Sequence, residues 1–155
     1  MLQLIGEFEC KLDAKGRMTL PAALKRQLPD VEREGLVVNR GFEKHLVFYP
    51  RSEWELITKK LSSLNQFNQR NRMFVRAFTR GATELSLDAS GRVLIPKGLL
   101  EYAGIGSEVV LASQFNKIEV WSKQEYDSLM NLDVEEDFAA LAEEVMGGID
   151  FQGGL

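Results

Sequence analysis

A ten-residue motif occurs twice in this chain, and the duplication constrains the fold more than any other feature of the sequence. Residues 12–21 read LDAKGRMTLP, and residues 87–96 read LDASGRVLIP. When residues 12–24 are aligned with residues 87–99, seven of the thirteen positions are identical, whereas chance gives about one match in 15–20 positions. The chain therefore contains two copies of one structural element, which we call the first and second repeats.

The similarity between the repeats extends beyond the motif. LVFYPRSEWELI at residues 46–57 resembles IEVWSKQEYDSL at residues 118–129, and each is an apolar and aromatic strand followed by the start of a helix. The predicted boundaries are a first repeat at residues 5–61, a helical linker at 62–82, a second repeat at 83–130, and an acidic C-terminal helix and tail at 131–155.

Each repeat is predicted to contain a strand, a tight turn, a second strand, a short helix and a hairpin. Phe8, Cys10 and Leu12 alternate with charged residues, which is the period of a strand with one buried face. In both motifs an Asp opens the turn, where its side chain accepts backbone N–H groups, and a Gly follows where φ is positive. The strands on either side of each turn are therefore predicted to form a hairpin with a Gly bulge. The structural turn residues are Asp13, Gly16, Asp88 and Gly91.

Neither repeat is long enough to enclose a hydrophobic core by itself. The two repeats are therefore predicted to interleave in one mostly β fold (α+β) with short flanking helices. Three segments outside the strands carry apolar residues at helical spacing, and each is expected to pack through that stripe, the first of them against this chain or a neighbouring subunit. The stripes are Trp54, Ile57, Leu61 and Leu64; Met73, Phe74, Ala77 and Phe78; and Phe138, Leu141, Ala142, Val145 and Met146.

Basic and acidic residues are unevenly distributed. The chain has 19 Lys and Arg against 23 Asp and Glu, a net charge of −4. All the basic residues lie before residue 124, so residues 1–130 have a net charge of +3, while residues 131–155 carry seven acidic groups and no basic one. A basic region within an acidic protein is compatible with a nucleic-acid partner.

Several classes of protein are excluded by what the sequence lacks. No run of 18 apolar residues is present, and the N-terminus does not have the pattern of a signal peptide, so a cytoplasmic protein with no membrane partner is expected. Cys10 has no second Cys to pair with and is predicted to be a buried thiol. His45 is predicted to be a turn or surface residue, and neither a metal site nor a cofactor is expected.

An enzyme is not expected either. Asp13 and Asp88, one from each repeat, resemble the carboxylate pair of aspartic proteases, in which one carboxyl group holds a proton. Here each Asp is followed by its own Arg, which favours the ionised form, and the D-T-G signature is absent. The sequence also has no Gly-rich phosphate loop, zinc-ligand spacing or Ser/His/Asp set.

The segment LDASGRVLIPKGLLEYAGIGSEVVL at residues 87–111 resembles the AbrB-like (SpoVT-AbrB) swapped-hairpin superfamily of DNA-binding domains. With LDAKGR in the first repeat and the FYPRSEWE and QFNKIEVW segments, the tandem pair is similar to the MraZ family of transcriptional regulators, which is associated with bacterial division and cell-wall gene clusters. The resemblance covers about residues 5–145. It implies two tandem AbrB-like units interleaved about a pseudo-two-fold axis in a double-psi-like barrel.

The same resemblance implies a function. It implies sequence-specific binding of duplex DNA at repeated promoter sites by a ring-shaped homo-oligomer, with a nucleoid-associated location and no small-molecule substrate. The alternative is an AbrB-like antitoxin that binds DNA and holds a toxin through its acidic tail, although such proteins usually carry one copy of the unit.

The cations of the two motifs are the candidate contacts to DNA. An Arg can bond its Asp through one edge of the guanidinium and present the other edge to a phosphate or a guanine. Ser90 stands in the second turn where the first has Lys15, so the second turn is expected to contribute one positive charge fewer. The candidate DNA-binding residues are Lys15, Arg17, Arg92, Lys25, Arg26 and Lys11. For the Asp–Arg pairs the alternative is a purely structural role, and for Lys11 it is a solvated strand cation.

Two further charged segments have two interpretations each. The linker arginines 70, 72, 76 and 80 are expected on the outer face of a packed helix, and the alternative is a second DNA surface. The acidic tail is expected to be a packing helix, and the alternative is that it competes with DNA for a basic face.

Overall fold

The computed structural model describes residues 2–133 and 138–147. The chain divides into two compact units, Met1–Lys123 and Gln124–Leu155. Of the acidic tail predicted from the sequence, residues 134–137 and 148–155 lie outside the described residues. In the described ranges, no helix has both the length and the apolar character needed to cross a membrane.

Strands and short helices alternate along the first compact unit. Its elements are β1 (Glu7–Lys11), β2 (Arg17–Thr19), α1 (Ala22–Lys25), α2 (Val31–Glu34), β3 (Leu36–Arg40), β4 (Leu46–Pro50), α3 (Arg51–Ser62), α4 (Gln69–Thr79), β5 (Thr83–Leu85), β6 (Arg92–Leu94), α5 (Lys97–Ala103), β7 (Glu108–Gln114) and β8 (Lys117–Ser122). The second unit contains α7 (Phe138–Met146) and all but the first residue of α6 (Lys123–Asp133).

The strands form two antiparallel sheets to which both repeats contribute. One sheet has the order β1-β7-β8-β4-β3-β5, and the other pairs β2 with β6. In the large sheet, β1, β3 and β4 of the first repeat correspond to β5, β7 and β8 of the second. Exchanging these counterparts leaves the strand order unchanged when it is read from the opposite end. The fold is α+β with a mostly antiparallel sheet and short helices, as the sequence predicted.

The predicted hairpins have two different outcomes. The hairpins β3–β4 and β7–β8 are confirmed. The hairpin predicted around each Asp–Gly turn is wrong, because β1 pairs with β7 and β2 pairs with β6. The turn itself closes through a backbone bond from Asp13 N to Arg17 O at 2.9 Å, after which the two strands diverge into different sheets. Pairing between the repeats lets β2 and β6 bury one face of each strand in a shared core.

The hydrophobic core of the first compact unit takes large side chains from both repeats. Phe48, Leu24 and Leu36 come from the first repeat, and Ile95 and Ile118 come from the second. All five have less than 2% of their surface exposed. This shared cluster accounts for the dependence of each repeat on the other, because neither contributes enough apolar surface alone.

Helices α3 and α4 pack less deeply than the stripes predicted. In α3 and the residues after it, the four stripe residues are half-buried. In α4 the predicted stripe is wrong for three of its four members, since Met73, Phe74 and Ala77 are exposed. The helix contacts its surroundings through Phe78, which stacks on Trp54 with ring centroids 6.1 Å apart. A helical period shows which residues share a face, but the partner surface decides which part of that face is covered.

The apolar stripe of α7 is exposed rather than packed within its own unit. Phe138, Leu141, Ala142 and Val145 are exposed, and Met146 is half-buried. The prediction of a packed helix is therefore wrong for the residues of this helix that the structure describes. The helical spacing predicted an amphipathic helix, which forms, but the spacing contains no information about a partner surface.

Cys10 and His45 were considered for their chemistry, and the structure shows how far each is buried. Cys10 is half-buried against the core, and burial raises the pKa of its thiol. His45 is buried, so the prediction of a turn or surface residue is wrong. Its ring stacks on Trp121 with centroids 4.4 Å apart, and burial lowers its pKa despite the nearby carboxylate of Glu119. The stacking partner is 76 positions away in the sequence, beyond the reach of a local pattern.

The two faces of the β2–β6 ribbon should respond differently to truncation. Met18 is 1% exposed on the inner face, whereas Leu94 is 55% exposed on the outer face. Met18→Ala should lower the free energy of unfolding by about 2–5 kcal/mol because it leaves a core cavity. Leu94→Ala should change it by about 0.5 kcal/mol or less. Chemical denaturation measures both values, and equal losses would contradict this assignment of faces.

Candidate nucleic-acid interface

Each motif turn is held by the carboxylate of its Asp. Asp13 Oδ1 accepts the backbone N–H groups of Lys15 and Arg17, both at 2.9 Å, and Oδ2 accepts Arg17 Nε at 2.7 Å. Asp88 makes the same three contacts in the second repeat, at 2.9, 2.9 and 2.8 Å. One side chain therefore fixes both the backbone of the turn and the direction of the arginine that follows it.

The glycine of each turn has a backbone conformation that other residues rarely adopt. Gly16 has φ of +87° and Gly91 has φ of +76°. Their carbonyl oxygens also connect the turns to the opposite strands, because Gly16 O accepts Ile95 N at 3.0 Å and Gly91 O accepts Leu20 N at 3.1 Å. The positive φ is thus part of the contact between the repeats as well as of the turn.

Hydrogen bonding lowers the pKa of both carboxyl groups below the ordinary value. The backbone N–H of Arg17 is the main cause that lowers the pKa of Asp13 to about 2, with smaller contributions from its guanidinium and from the Lys15 N–H. The pKa of Asp88 is lowered in the same way, mainly by the backbone N–H of Arg92. Ionised carboxylates give strong charge-assisted bonds to the arginines.

The ribbon formed by β2 and β6 has one buried and one outer face. Met18 lies opposite Val93, and both are buried. Arg17 lies opposite Leu94, and Thr19 lies opposite Arg92. Because residues directly opposite each other point to the same side of a sheet, these four residues share the outer face. They are Arg17, Thr19, Arg92 and Leu94.

The two arginines of the outer face stand on a diagonal of the ribbon. They are separated by one strand spacing and two residues along the strand, which gives about 8 Å between their Cα atoms. Their side chains are 31% and 33% exposed. Among residues 2–133 and 138–147, the protein supplies a partner to the Nε of each guanidinium but not to its Nη groups. The Nη donors therefore remain available for an external acceptor.

The other candidate cations do not all lie at this ribbon. Lys15 is exposed at the tip of the first turn. Lys25 lies beside the second turn, in a polar pocket lined by residues of both repeats. Lys11 and Arg26 are exposed, and in the described part of the chain no side-chain hydrogen bond or ion pair joins either of them to the ribbon. The assignment of all six cations to DNA stays a prediction.

Two members of the outer face, Thr19 and Leu94, were not predicted from the sequence. Their signal was present in the alternation of each short strand, because Arg17 and Thr19 flank a buried Met just as Arg92 and Leu94 flank a buried Val. Strands of three residues are too short for a periodic pattern to stand out.

The linker arginines do not form one continuous set. Arg72 donates to the carbonyl oxygen of Gln66 at 2.8 Å and so belongs to the loop before α4. Arg70, Arg76 and Arg80 are exposed. Their assignment to a second DNA surface stays a prediction. Nowhere in the described ranges do three or more His, Cys, Asp or Glu side chains come together as metal ligands.

Comparison with known proteins identifies the family. The MraZ family model matches this chain twice, over residues 3–77 and 78–147. Its description is MraZ protein, with a provisional antitoxin-like assignment. A protein of Christiangramia forsetii is 46% identical over 154 residues, which cover 99% of both chains. A protein of Flavobacterium psychrophilum is 43% identical over 151 residues, covering 97% of this chain and 96% of the relative. This chain belongs to the MraZ family.

Membership confirms the resemblance found in the sequence. Both relatives, and a third from Cytophaga hutchinsonii that is 42% identical over 91% of this chain and 93% of its own length, are named transcriptional regulator MraZ. The chain is thus a member of a family of transcription regulators. Each of the two matched regions contains one motif turn, Asp13–Arg17 in the first and Asp88–Arg92 in the second.

The contribution of Asp13 to stability should depend on pH. The folded pKa of about 2 is below the ordinary value of 3.8, so the ionised carboxylate stabilises the fold above about pH 4, and this contribution is lost as the pH falls through about 2. Asp13→Asn should therefore lower the Tm at pH 7, and the difference from the wild type should shrink between pH 4 and pH 2. Asp30→Asn, which alters an exposed pair with Arg33, is the control. A Tm difference that stays constant with pH would refute the assignment.

Proposed function

We propose that this chain is a sequence-specific regulator that binds duplex DNA at repeated promoter sites through the outer face of the β2–β6 ribbon. The observation that carries the proposal is the pair of arginines. Each is oriented through Nε by its own Asp, and the Nη groups of each bond to no residue that the structure describes. A two-stranded ribbon is one of the two elements that fit the major groove of B-DNA. The names of the relatives agree with a role in transcription.

The Asp–Arg pairs prepare the arginines for recognition. A free arginine side chain loses rotamer freedom when it binds, and this loss reduces affinity. Asp13 and Asp88 restrict the guanidinium groups before DNA arrives. The Nη edge can then donate to phosphate oxygens or to O6 and N7 of a guanine. Leu94, exposed between the arginines, offers an apolar contact for a thymine methyl group.

The charge of the first compact unit favours a polyanionic partner. Its 19 basic residues exceed its 14 acidic ones, a net charge of +5, although the whole chain is negative. Each neutralised phosphate contributes about −0.9 to the slope of log K against log salt. Two or three contacts from one subunit bind weakly, so high affinity requires several subunits that engage repeated sites together.

Self-association into a ring-shaped homo-oligomer is the second part of the proposal. Helices α3 and α4 and the loop between them expose large apolar side chains to solvent. These include Leu56, Phe67, Met73 and Phe74. A groove of about 410 Å³ also lies between the two helices. Exposed apolar side chains beside a groove are typical of protein–protein interfaces, and a second copy of the chain is the occupant that the family resemblance implies.

The finer fold assignment belongs to the same proposal. We infer that the repeats are two AbrB-like swapped-hairpin units in a double-psi-like barrel with a pseudo-two-fold axis. The symmetric strand order and the β2–β6 pairing support this inference. Nucleoid association and a target in a division and cell-wall gene cluster rest on the family resemblance, and the boundaries of the repeats stay a prediction.

A second candidate function is that of an antitoxin. The observation that favours it is the apolar stripe of α7, where Phe138, Leu141 and Val145 are exposed beside Glu143 and Glu144. An acidic amphipathic helix of this kind can occupy an apolar groove with a basic rim on a partner protein. Co-purification with a small ribonuclease-like protein would favour this function, and a large homo-oligomer alone would favour the regulator.

Replacing Arg17 should weaken DNA binding without affecting assembly. Arg17→Ala should lower the affinity for DNA from upstream of the chain's own gene by about 5–150-fold, the value of one lost bidentate contact. Arg17→Lys should restore part of the affinity because it keeps the charge but not the fork. Fluorescence anisotropy at two salt concentrations measures both.

The control for this experiment is Arg33→Ala. Arg33 is an exposed arginine paired with Asp30 and Glu34 on α2, so its removal costs the same charge away from the ribbon. Wild-type affinity in both Arg17→Ala and Arg92→Ala, at moderate salt and with the oligomer intact, would exclude the ribbon as the DNA-binding surface.

Charges placed on α4 should disrupt the oligomer. Met73→Glu combined with Phe74→Glu puts two carboxylates on exposed apolar positions, and we expect a smaller species by sedimentation analysis because burying these charges is unfavourable. Leu94→Ala, which removes an exposed apolar side chain from the DNA-binding face, should leave the number of subunits in the oligomer unchanged. A doubly substituted chain with the wild-type mass would show that α4 is not in the interface.

A further inference from the structure

A lysine of the first repeat lies at the turn of the second repeat. Lys25, at the end of α1, places its Nζ 3.7 Å from the point where a Cβ on Gly91 would stand. The same lysine lines a polar pocket of about 280 Å³ whose other walls are Glu32, Leu87, Asp88, Ala89 and Gly91. The second turn therefore has a cation beside it that its own repeat does not encode.

The first turn has the reciprocal arrangement with a different residue. Leu100 occupies the position of Lys25 in the second repeat, 75 residues later. Its Cδ1 lies 3.3 Å from the corresponding point on Gly16. Each turn is thus approached by the helix of the other repeat, through a leucine at the first turn and through a lysine at the second.

This exchange changes how positive charge is divided between the two turns. The first turn has Lys15 at its tip and the apolar Leu100 beside it. The second has the neutral Ser90 at its tip and Lys25 beside it. Each turn therefore combines one Asp–Arg pair with one lysine. The sequence alone suggested that the second turn had one positive charge fewer, because it does not reveal that α1 packs against the turn of the other repeat.

Lys25 has a carboxylate partner that can be exchanged. Its Nζ lies 2.6 Å from Glu32 Oε1 on α2, with side-chain exposures of 35% for Lys25 and 73% for Glu32. The pairing lowers the pKa of Glu32. Ion pairs this close to solvent contribute little to stability, so the lysine can change partners at low cost. Once released, Glu32 stays well hydrated, because most of its side chain already faces water.

We propose that Lys25 binds a DNA backbone phosphate at the second turn, and that Glu32 holds the ammonium group at this pocket until the phosphate takes its place. The inference rests on the proposed DNA-binding function and adds to it a phosphate contact for the second half of the ribbon. With Lys25 in this role, both turns bind through one arginine and one lysine. The more strongly Glu32 pairs with Lys25, the more weakly the second turn binds phosphate.

Three substitutions test the exchange in the full-length protein, with a promoter duplex as the probe. Lys25→Ala should weaken binding by about 3–10-fold and reduce the magnitude of the slope of log K against log salt by about 0.9, the value for one phosphate. Glu32→Gln should strengthen binding by about 2–5-fold, because the phosphate no longer competes with a carboxylate. Lys25→Arg should keep the slope. Arg33→Ala, which removes an exposed cation from α2 away from the ribbon, is the control and should change neither quantity.

A double-mutant cycle locates the contact. If Lys25 serves the second turn, its loss should combine non-additively with Arg92→Ala and additively with Arg17→Ala. The Tm of each variant shows that the fold is intact. A purely structural lysine would change the Tm and leave the salt slope unaltered.

The outcomes separate this inference from the proposed function. If Arg17→Ala and Arg92→Ala weaken binding while Lys25→Ala and Glu32→Gln leave both affinity and salt slope unchanged, the inference is overturned and the DNA-binding ribbon stands. Coupling of Lys25 to Arg17 instead of Arg92 also overturns it. If the wild-type chain does not bind duplex DNA, the inference and the proposed function fall together.

Discussion

The pairing of β2 with β6 is the contact on which the rest of the molecule depends. Each strand has three residues, too few to be stable alone. The pair persists because Met18 and Val93 enter the core made by both repeats, and because each turn glycine accepts a bond from the opposite strand. The β1–β7, β3–β5 and β4–β8 pairings also join the repeats. The β2–β6 pairing additionally orients both turns and places the two arginines on a common outer face.

Two kinds of contact then determine the properties of each turn. The contacts of Asp13 and Asp88 are local, so the corresponding hydrogen-bond lengths in the two turns agree to within about 0.1 Å. The contacts of Leu100 and Lys25 come from the other repeat and differ between the turns. Duplication preserved the local contacts, and divergence changed the contacts between repeats. A pseudo-symmetric backbone can thus present two chemically different surfaces.

Contacts between residues close in the sequence could be predicted, and contacts between distant residues could not. The D-x-x-G-R pattern predicted the turn and its carboxylate bonds because donor and acceptor lie within four residues of each other. It also led to a hairpin that does not form, because alternation along a strand contains no information about the partner strand. The burial of His45 depends on Trp121, and the position of Lys25 depends on how the repeats interleave. Sequence periodicity cannot supply either contact.

Net charge is a poor guide to the electrostatics of this surface. At physiological salt the Debye length is about 8 Å, so exposed charges farther away are largely screened and the groups near each turn dominate. At the first turn, Asp13 cancels Arg17 and Lys15 adds one positive charge. At the second, Asp88 cancels Arg92 and Glu32 cancels Lys25. The two turns thus hold equal numbers of cations but differ by one unit of charge, and that difference resides in Glu32, outside both motifs. An acidic residue on α2 consequently determines how closely the second turn can match the first in attracting a polyanion.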